Sequence, residues 1–159
     1  MKIFTIGVYG KTEDEFFSAL QENSIDVFCD IRQRRGVRGR QYSFVNSVYL
    51  QNKLQELGVK YLYEKELAPT REIREKQWAE DKANKVTKKY RNILGNTFVK
   101  CYCELILDAF DLDAFVENLK ELSAENIVLF CVESNPNACH RSLLAKKMAE
   151  KFDCEIINL

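Results

Sequence analysis

Five short apolar runs punctuate the chain: "KIFTIG" at 2–7, "IDVFCDI" at 25–31, "VKYLY" at 59–63, "NIVLFCV" at 126–132 and "CEIINL" at 154–159. They are rich in β-branched and aromatic residues, and most are nearly unbroken. A strand covered on both faces has this pattern, and one face exposed to water would give strict alternation instead. Between the runs the period changes to that of a helix. After Gly7, "TEDEFFSAL" places Thr12 and Glu15 at capping-box spacing. "NSVYLQNKLQELG" sets Leu50, Leu54 and Leu57 on one face and stops at Gly58. "DLDAFVENLKEL" offers Asp111 as a cap for Phe115, Leu119 and Leu122. "RSLLAKKMAEKF" aligns Leu144, Met148 and Phe152 and ends in lysines, where cations suit the helix dipole. "TFVKCYCELIL" at 97–107 fits either period and is assigned to helix.

Strands alternating with helices predict an α/β fold, because parallel neighbours need crossover connections and helices supply them. The expectation is one domain over 1–159, a mostly parallel sheet with helices on both faces in a Rossmann-like three-layer arrangement. Between 69 and 95 the pattern becomes polar, with eight Lys or Arg against four Asp or Glu and Trp78, Tyr90, Ile93 and Leu94 as apolar anchors. That stretch reads as a basic helical lid or insertion.

Composition narrows the classes. A chain of 159 residues, 46% hydrophobic and 30% charged, has the makings of a real core and buries roughly two thirds of its unfolded surface. Lys plus Arg equals Asp plus Glu at 24 each, so attraction to a polyanion must come from local clustering. No apolar run nears the roughly 20 residues of a membrane span, and no export signal is evident, so the protein is expected in the cytoplasm. The six cysteines are then expected as free thiols. No CxxC occurs. A zinc set of Cys131, Glu133, Cys139 and His140 is available by composition, but its spacing matches no common ligand pattern, and no metal is expected.

In an open parallel sheet ligands bind outside the carboxyl ends of the strands, so the residues that follow each strand matter most. They are polar: Gly7, Tyr9 and Gly10; Asp30 and Arg32; Tyr63; and Glu133 with the loop to Cys139, His140 and Arg141. The second loop carries Arg32, Arg34, Arg35, Arg38 and Arg40 with no acid after Asp30. Guanidinium forks suit phosphate oxygens, and Tyr42 and Phe44 beside them are placed to stack on bases. At the last loop a helix N-terminus lowers the pKa of a thiol placed on it. Cys139 is therefore the expected nucleophile, His140 the proton carrier, Glu133 an acid or base, and Arg141 an anion holder with Arg32. The plainer readings are that Cys139 is a small buried apolar group, that His140 braces the loop, and that the arginines are solvated or paired.

The chain resembles the family called domain of unknown function 488. "FTIGVYGKTEDEFFSAL" is similar to the family's opening strand and helix, "DVFCDIR" to its Asp-Val-Arg element, and "FCVESNPNACHRSLLA" to its Cys-x-Glu, Pro and Cys-His-Arg signature. The resemblance implies a single α/β domain with Asp30, Arg32, Glu133, Cys139, His140 and Arg141 at the motif positions. It implies no particular reaction. This chain departs from the family pattern at "QRRGVRGRQ" and "ELAPTR", both on the expected ligand rim. The expectation is a phosphate-bearing ligand, nucleotide or nucleic acid, bound at the carboxyl rim by Tyr9, Asp30, Arg32, Arg35, Arg38 and Arg141, with hydrolysis or group transfer through Cys-His-Arg. The rival is a non-catalytic nucleic-acid-binding module using loop 32–40 and the basic segment from Arg71 to Arg91. No cofactor is assigned, a homodimer is left open, and no membrane partner is expected.

Overall fold

The computed structural model describes residues 1–159 except Arg38 and Lys89. Five strands, β1 (Lys2–Ile6), β2 (Val27–Asp30), β3 (Lys60–Tyr63), β4 (Asn126–Phe130) and β5 (Ile156–Asn158), form one parallel sheet in the order β3-β2-β4-β1-β5. The helices are α1 (Glu13–Glu22), α2 (Ser47–Glu56), α3 (Arg71–Ala83), α4 (Asn96–Tyr102), α5 (Leu112–Glu121) and α6 (His140–Phe152). The segment 97–107 is helical throughout: α4 runs on into a π-helical turn over Cys103–Leu107.

Alternate residues of each strand feed opposite layers, as the pleat requires. Phe4, Ile6, Phe28, Val128 and Phe130 meet α1 and α2 through Phe16, Phe17, Leu20, Leu50 and Leu54. Ile3, Val27, Cys29, Ile127 and Leu129 meet α4, α5 and α6 through Phe98, Tyr102, Phe115, Leu119, Leu144 and Met148. The result is the three-layer α/β arrangement that the alternation predicts. Local signals sit where expected: the Thr12 and Glu15 capping box is complete, and Asp111 accepts from the Ala114 N–H at 3.0 Å. Among the described residues no helix is long and apolar enough to cross a membrane.

The chain steps from β1 outward through β2 to β3 with its crossovers on one face, then returns through β4 to β5 on the other. Strand β4 thus lies between two strands whose following connections leave on the opposite side. That is the switch point where the carboxyl ends of a parallel sheet open a crevice.

Two features fix the loop after β4. Gly7, at the end of β1, lies so near the Glu133 carbonyl that a Cβ there would sit 1.9 Å from its oxygen. Arg141, 1% exposed on the first turn of α6, donates from Nη1 to the Glu133 carbonyl at 2.5 Å, from Nη2 to the Ser134 carbonyl at 3.0 Å and from Nε to Thr5 Oγ1 at 3.3 Å. Thr5 Oγ1 in turn donates to Asn158 Oδ1 at 2.8 Å, which links the latch to β5.

Two outcomes follow for unfolding in urea. Gly7→Ala must push β1 and the Glu133 loop apart and is expected to cost about 3 kcal/mol. Arg141→Met leaves the buried Glu133 carbonyl without its Arg141 donor and frees the Ser134 carbonyl, and is expected to cost about 3 kcal/mol as well. A shift within about 0.5 kcal/mol for either variant would mean that the loop is not held this way.

Candidate functional site

Above the carboxyl end of β4 lies a cleft of about 360 Å³, within the usual range of small-molecule sites. The ends of the three inner strands contribute to it. The loop after β1 supplies Tyr9, the loop after β2 supplies Arg32, Arg34 and Tyr42, and the end of β4 with the start of α6 supplies Cys131, Glu133, Cys139 and His140. The opposite wall is α3 and the segment after it, with Arg74, Gln77, Trp78, Lys88 and Arg91, closed by Phe98 of α4.

Glu133 is the charged centre of the floor. Its Oε1 lies 3.2 Å from Lys88 Nζ and 3.4 Å from Arg91 Nη2, while Oε2 accepts from the Cys131 thiol at 3.3 Å. Burial alone would raise its pKa, but Lys88 first and His140 next outweigh that and bring it down to about 2. Lys88 answers in kind: burial works against its charge, and Glu133 holds its pKa above the ordinary value. Arg91 also donates from Nη1 to Asp81 Oδ2 at 2.8 Å and from Nη2 to the Ala138 carbonyl at 3.2 Å. Asp81 takes a further bond from Gln77 Nε2 at 2.8 Å. Segment 69–95 is thereby tied to the sheet rim through Asp81, Arg91 and Glu133.

The expected rim residues part company here. Asp30, fully buried, accepts from Arg32 Nε at 2.8 Å, Arg32 Nη2 at 2.7 Å and the Tyr61 hydroxyl at 2.8 Å. Arg32 also donates to the Val45 carbonyl and lies 4.5 Å over the Phe130 ring. Its Nη1 has no hydrogen-bond partner among the described residues. Arg35 lies over Tyr63 at 4.5 Å, outside the cleft lining. Arg34 lines the cleft and is exposed, and Arg38 lies outside the described residues. Arg141 faces away from the cleft, its guanidinium taken up by the loop carbonyls. Phe44, placed by the sequence beside the arginine loop as a stacking ring, is instead packed in the core against Phe16 and Phe17. Apolar neighbours from α1 claim it. Tyr42 borders the cleft, with its ring 5.3 Å from that of Tyr9.

Cys139 is the N-cap residue of α6, as its place in the sequence predicts, but it is 1% exposed, and burial pushes its thiol well up instead of down. His140 directs Nε2 at the Ile31 carbonyl, 3.2 Å away, and Nδ1 at both Cys131 and Cys139, each sulfur at 3.9 Å. Burial works against its charged form, while Cys139, Glu133 and the Ile31 carbonyl favour it, and the net shift is upward. Tyr102 packs edge-on to the imidazole at 5.3 Å and fixes its plane.

Reading the sequence placed Trp78 and the basic stretch in one element but did not single out Arg74, Gln77, Lys88, Arg91 or Phe98 as cleft residues. One signal was present. Ile73, Gln77 and Asp81 repeat every fourth residue on the buried face of α3, and two polar groups on such a stripe require buried partners.

No curated protein and no solved structure matches the chain. One family does: the sequence model described as Domain of unknown function DUF488 matches residues 12–148. That span takes in α1, β2, the Cys-His-Arg turn and the cleft lining apart from Tyr9, and the chain belongs to the DUF488 family.

Proposed function

We propose that the cleft binds a phosphate-bearing ligand of nucleotide size, either a free nucleotide or the terminal nucleotide of a nucleic acid. The observation that carries this reading is the charge of the lining: Arg32, Arg34, Arg74, Lys88 and Arg91 against the single carboxylate of Glu133. Arg32 and Arg91 are committed to Asp30 and Asp81. Arg34 and Arg74 stand in no ion pair among the described residues, and Lys88, paired with Glu133 at 3.2 Å, is half-exposed beside them. These three are the groups for phosphate oxygens, since an ionised donor and acceptor make the stronger class of hydrogen bond. Tyr9 and the half-exposed Trp78 offer flat apolar faces in the same cleft for a base.

The dispersal of the arginine loop favours a ligand in the cleft over a strand laid along the loop. Arg32 is locked inward, Arg35 covers Tyr63, and Arg34 turns to the cleft. The low exposure of Cys139 and the upward push of burial on its thiol pKa favour binding over attack by that sulfur, because the thiolate is the nucleophile.

The expected outcome of calorimetric titration at fixed salt is saturable binding of nucleoside monophosphates. Arg34→Ala and Arg74→Ala should each weaken it about tenfold, by about 1.4 kcal/mol. Unfolding free energies of the two variants should stay within about 0.5 kcal/mol of wild type, since both side chains reach solvent. Binding that survives both changes, or no binding by wild type to nucleotides or short oligonucleotides, would overturn the reading. If oligonucleotides bind and mononucleotides do not, the slope of affinity against salt gives the number of phosphates engaged.

A further inference from the structure

We propose that Cys131, Cys139 and His140 form a three-donor site for a thiophilic divalent cation, with zinc the best fit and the fourth position open to the cleft beside Glu133. The donor atoms Sγ, Sγ and Nδ1 all lie within 4.8 Å of one another, and each sulfur is 3.9 Å from Nδ1. A tetrahedral ion with bonds of about 2.3 Å to sulfur and about 2.0 Å to nitrogen sets its donors about 3.5 to 3.8 Å apart. The two measured distances need to close by only a few tenths of an ångström.

The imidazole supplies an independent observation. A carbonyl oxygen only accepts, so the Nε2 that lies 3.2 Å from the Ile31 carbonyl is the nitrogen that carries the proton. In the neutral imidazole the nitrogen with the lone pair is then Nδ1, the one aimed at both sulfurs. A metal-ligating histidine is oriented in this way, with its second nitrogen donating to a carbonyl or carboxylate. The Tyr102 ring against its edge holds the plane of the imidazole.

The backbone holds the three donors together before any ion arrives. Cys131 directly follows β4, while Cys139 and His140 open α6, and the loop between them is fastened by Arg141 on the Glu133 and Ser134 carbonyls and by Arg91 on the Ala138 carbonyl of the turn Pro136–Ala138. All three side chains are buried, yet all three border the cleft. Three side chains with a vacant fourth corner toward a cleft describe an open site, unlike the closed four-ligand sites that only stabilise a fold. Glu133 Oε2, 3.3 Å from Cys131 Sγ, stands next to that corner, while Oε1 is held by Lys88 and Arg91. On ligation each thiol gives its proton to solvent, and any proton on Nδ1 leaves with them. Two thiolates then balance the dication, and Lys88 and Arg91 remain with Glu133. Soft sulfur donors favour zinc over magnesium or calcium. The inference does not depend on what the cleft binds.

The test uses full-length protein stripped with a chelator and kept reduced with a phosphine. Cobalt(II) should bind at one equivalent per chain with a near-ultraviolet thiolate-to-cobalt charge-transfer band, and zinc should displace it. In wild type, saturating zinc should slow alkylation of Cys131 and Cys139 by at least about tenfold, since an ion that binds the native state suppresses its opening. Cys101, Cys103 and Cys154 should react at unchanged rates. Cys139→Ser should lose the band and Cys154→Ser should keep it. If Cys139→Ser does not fold, the protection measured on wild type decides. Cobalt binding without a charge-transfer band, or zinc that protects neither Cys131 nor Cys139, would overturn the proposal.

Discussion

A carboxylate taken out of water must be compensated on the spot, and the burial of Glu133 at the end of the central strand is the constraint around which this molecule is arranged. Its side chain draws Lys88 and Arg91 from one wall of the cleft. Its main-chain carbonyl takes the Arg141 guanidinium and rests against Gly7. One residue thereby joins β1, β4, α6 and the segment after α3. Breaking one such contact leaves a buried group unpaired, which costs more than the contact contributes.

The same arrangement shapes the cleft. Arg91 bridges Asp81 and Glu133, so the charges deepest in the wall neutralise one another. What remains toward solvent is the positive excess of Arg34 and Arg74, beside the half-exposed Lys88 that pairs with Glu133. The chain as a whole has no net charge, so this local excess is the field that an anion meets. Below it, Cys131, Cys139 and His140 form a softer and drier floor of different chemistry.

Much of this was legible in the sequence, and for definite reasons. The runs around Phe28 and Leu129 are apolar on both faces because helices cover both faces, so the parallel sheet could be read directly. The rim residues could be read from the rule that loops after parallel strands converge. Their tasks could not, because an arginine's role is set by the partner it finds. Arg141 meets backbone carbonyls eight and seven residues back and becomes a latch, Arg32 meets Asp30 and becomes part of the core, and Arg34 meets solvent. The Asp81, Arg91 and Glu133 chain joins residues up to 52 positions apart, and no local pattern announces it. Cys131, Cys139 and His140 could be named together from composition, but not seen to converge, because Cys131 and Cys139 stand at the two ends of one loop, at a spacing that only the fold closes.

Glu133 ties the segment bearing Lys88 and Arg91 to the sheet rim and so builds the cleft. A double-mutant cycle of Glu133→Gln and Arg91→Met, read by urea unfolding, tests it most directly. A coupling of about 1–3 kcal/mol between the two sites is the predicted result. Additive losses would contradict the claim, because the two side chains would then act independently and the wall of the cleft would be held by something else.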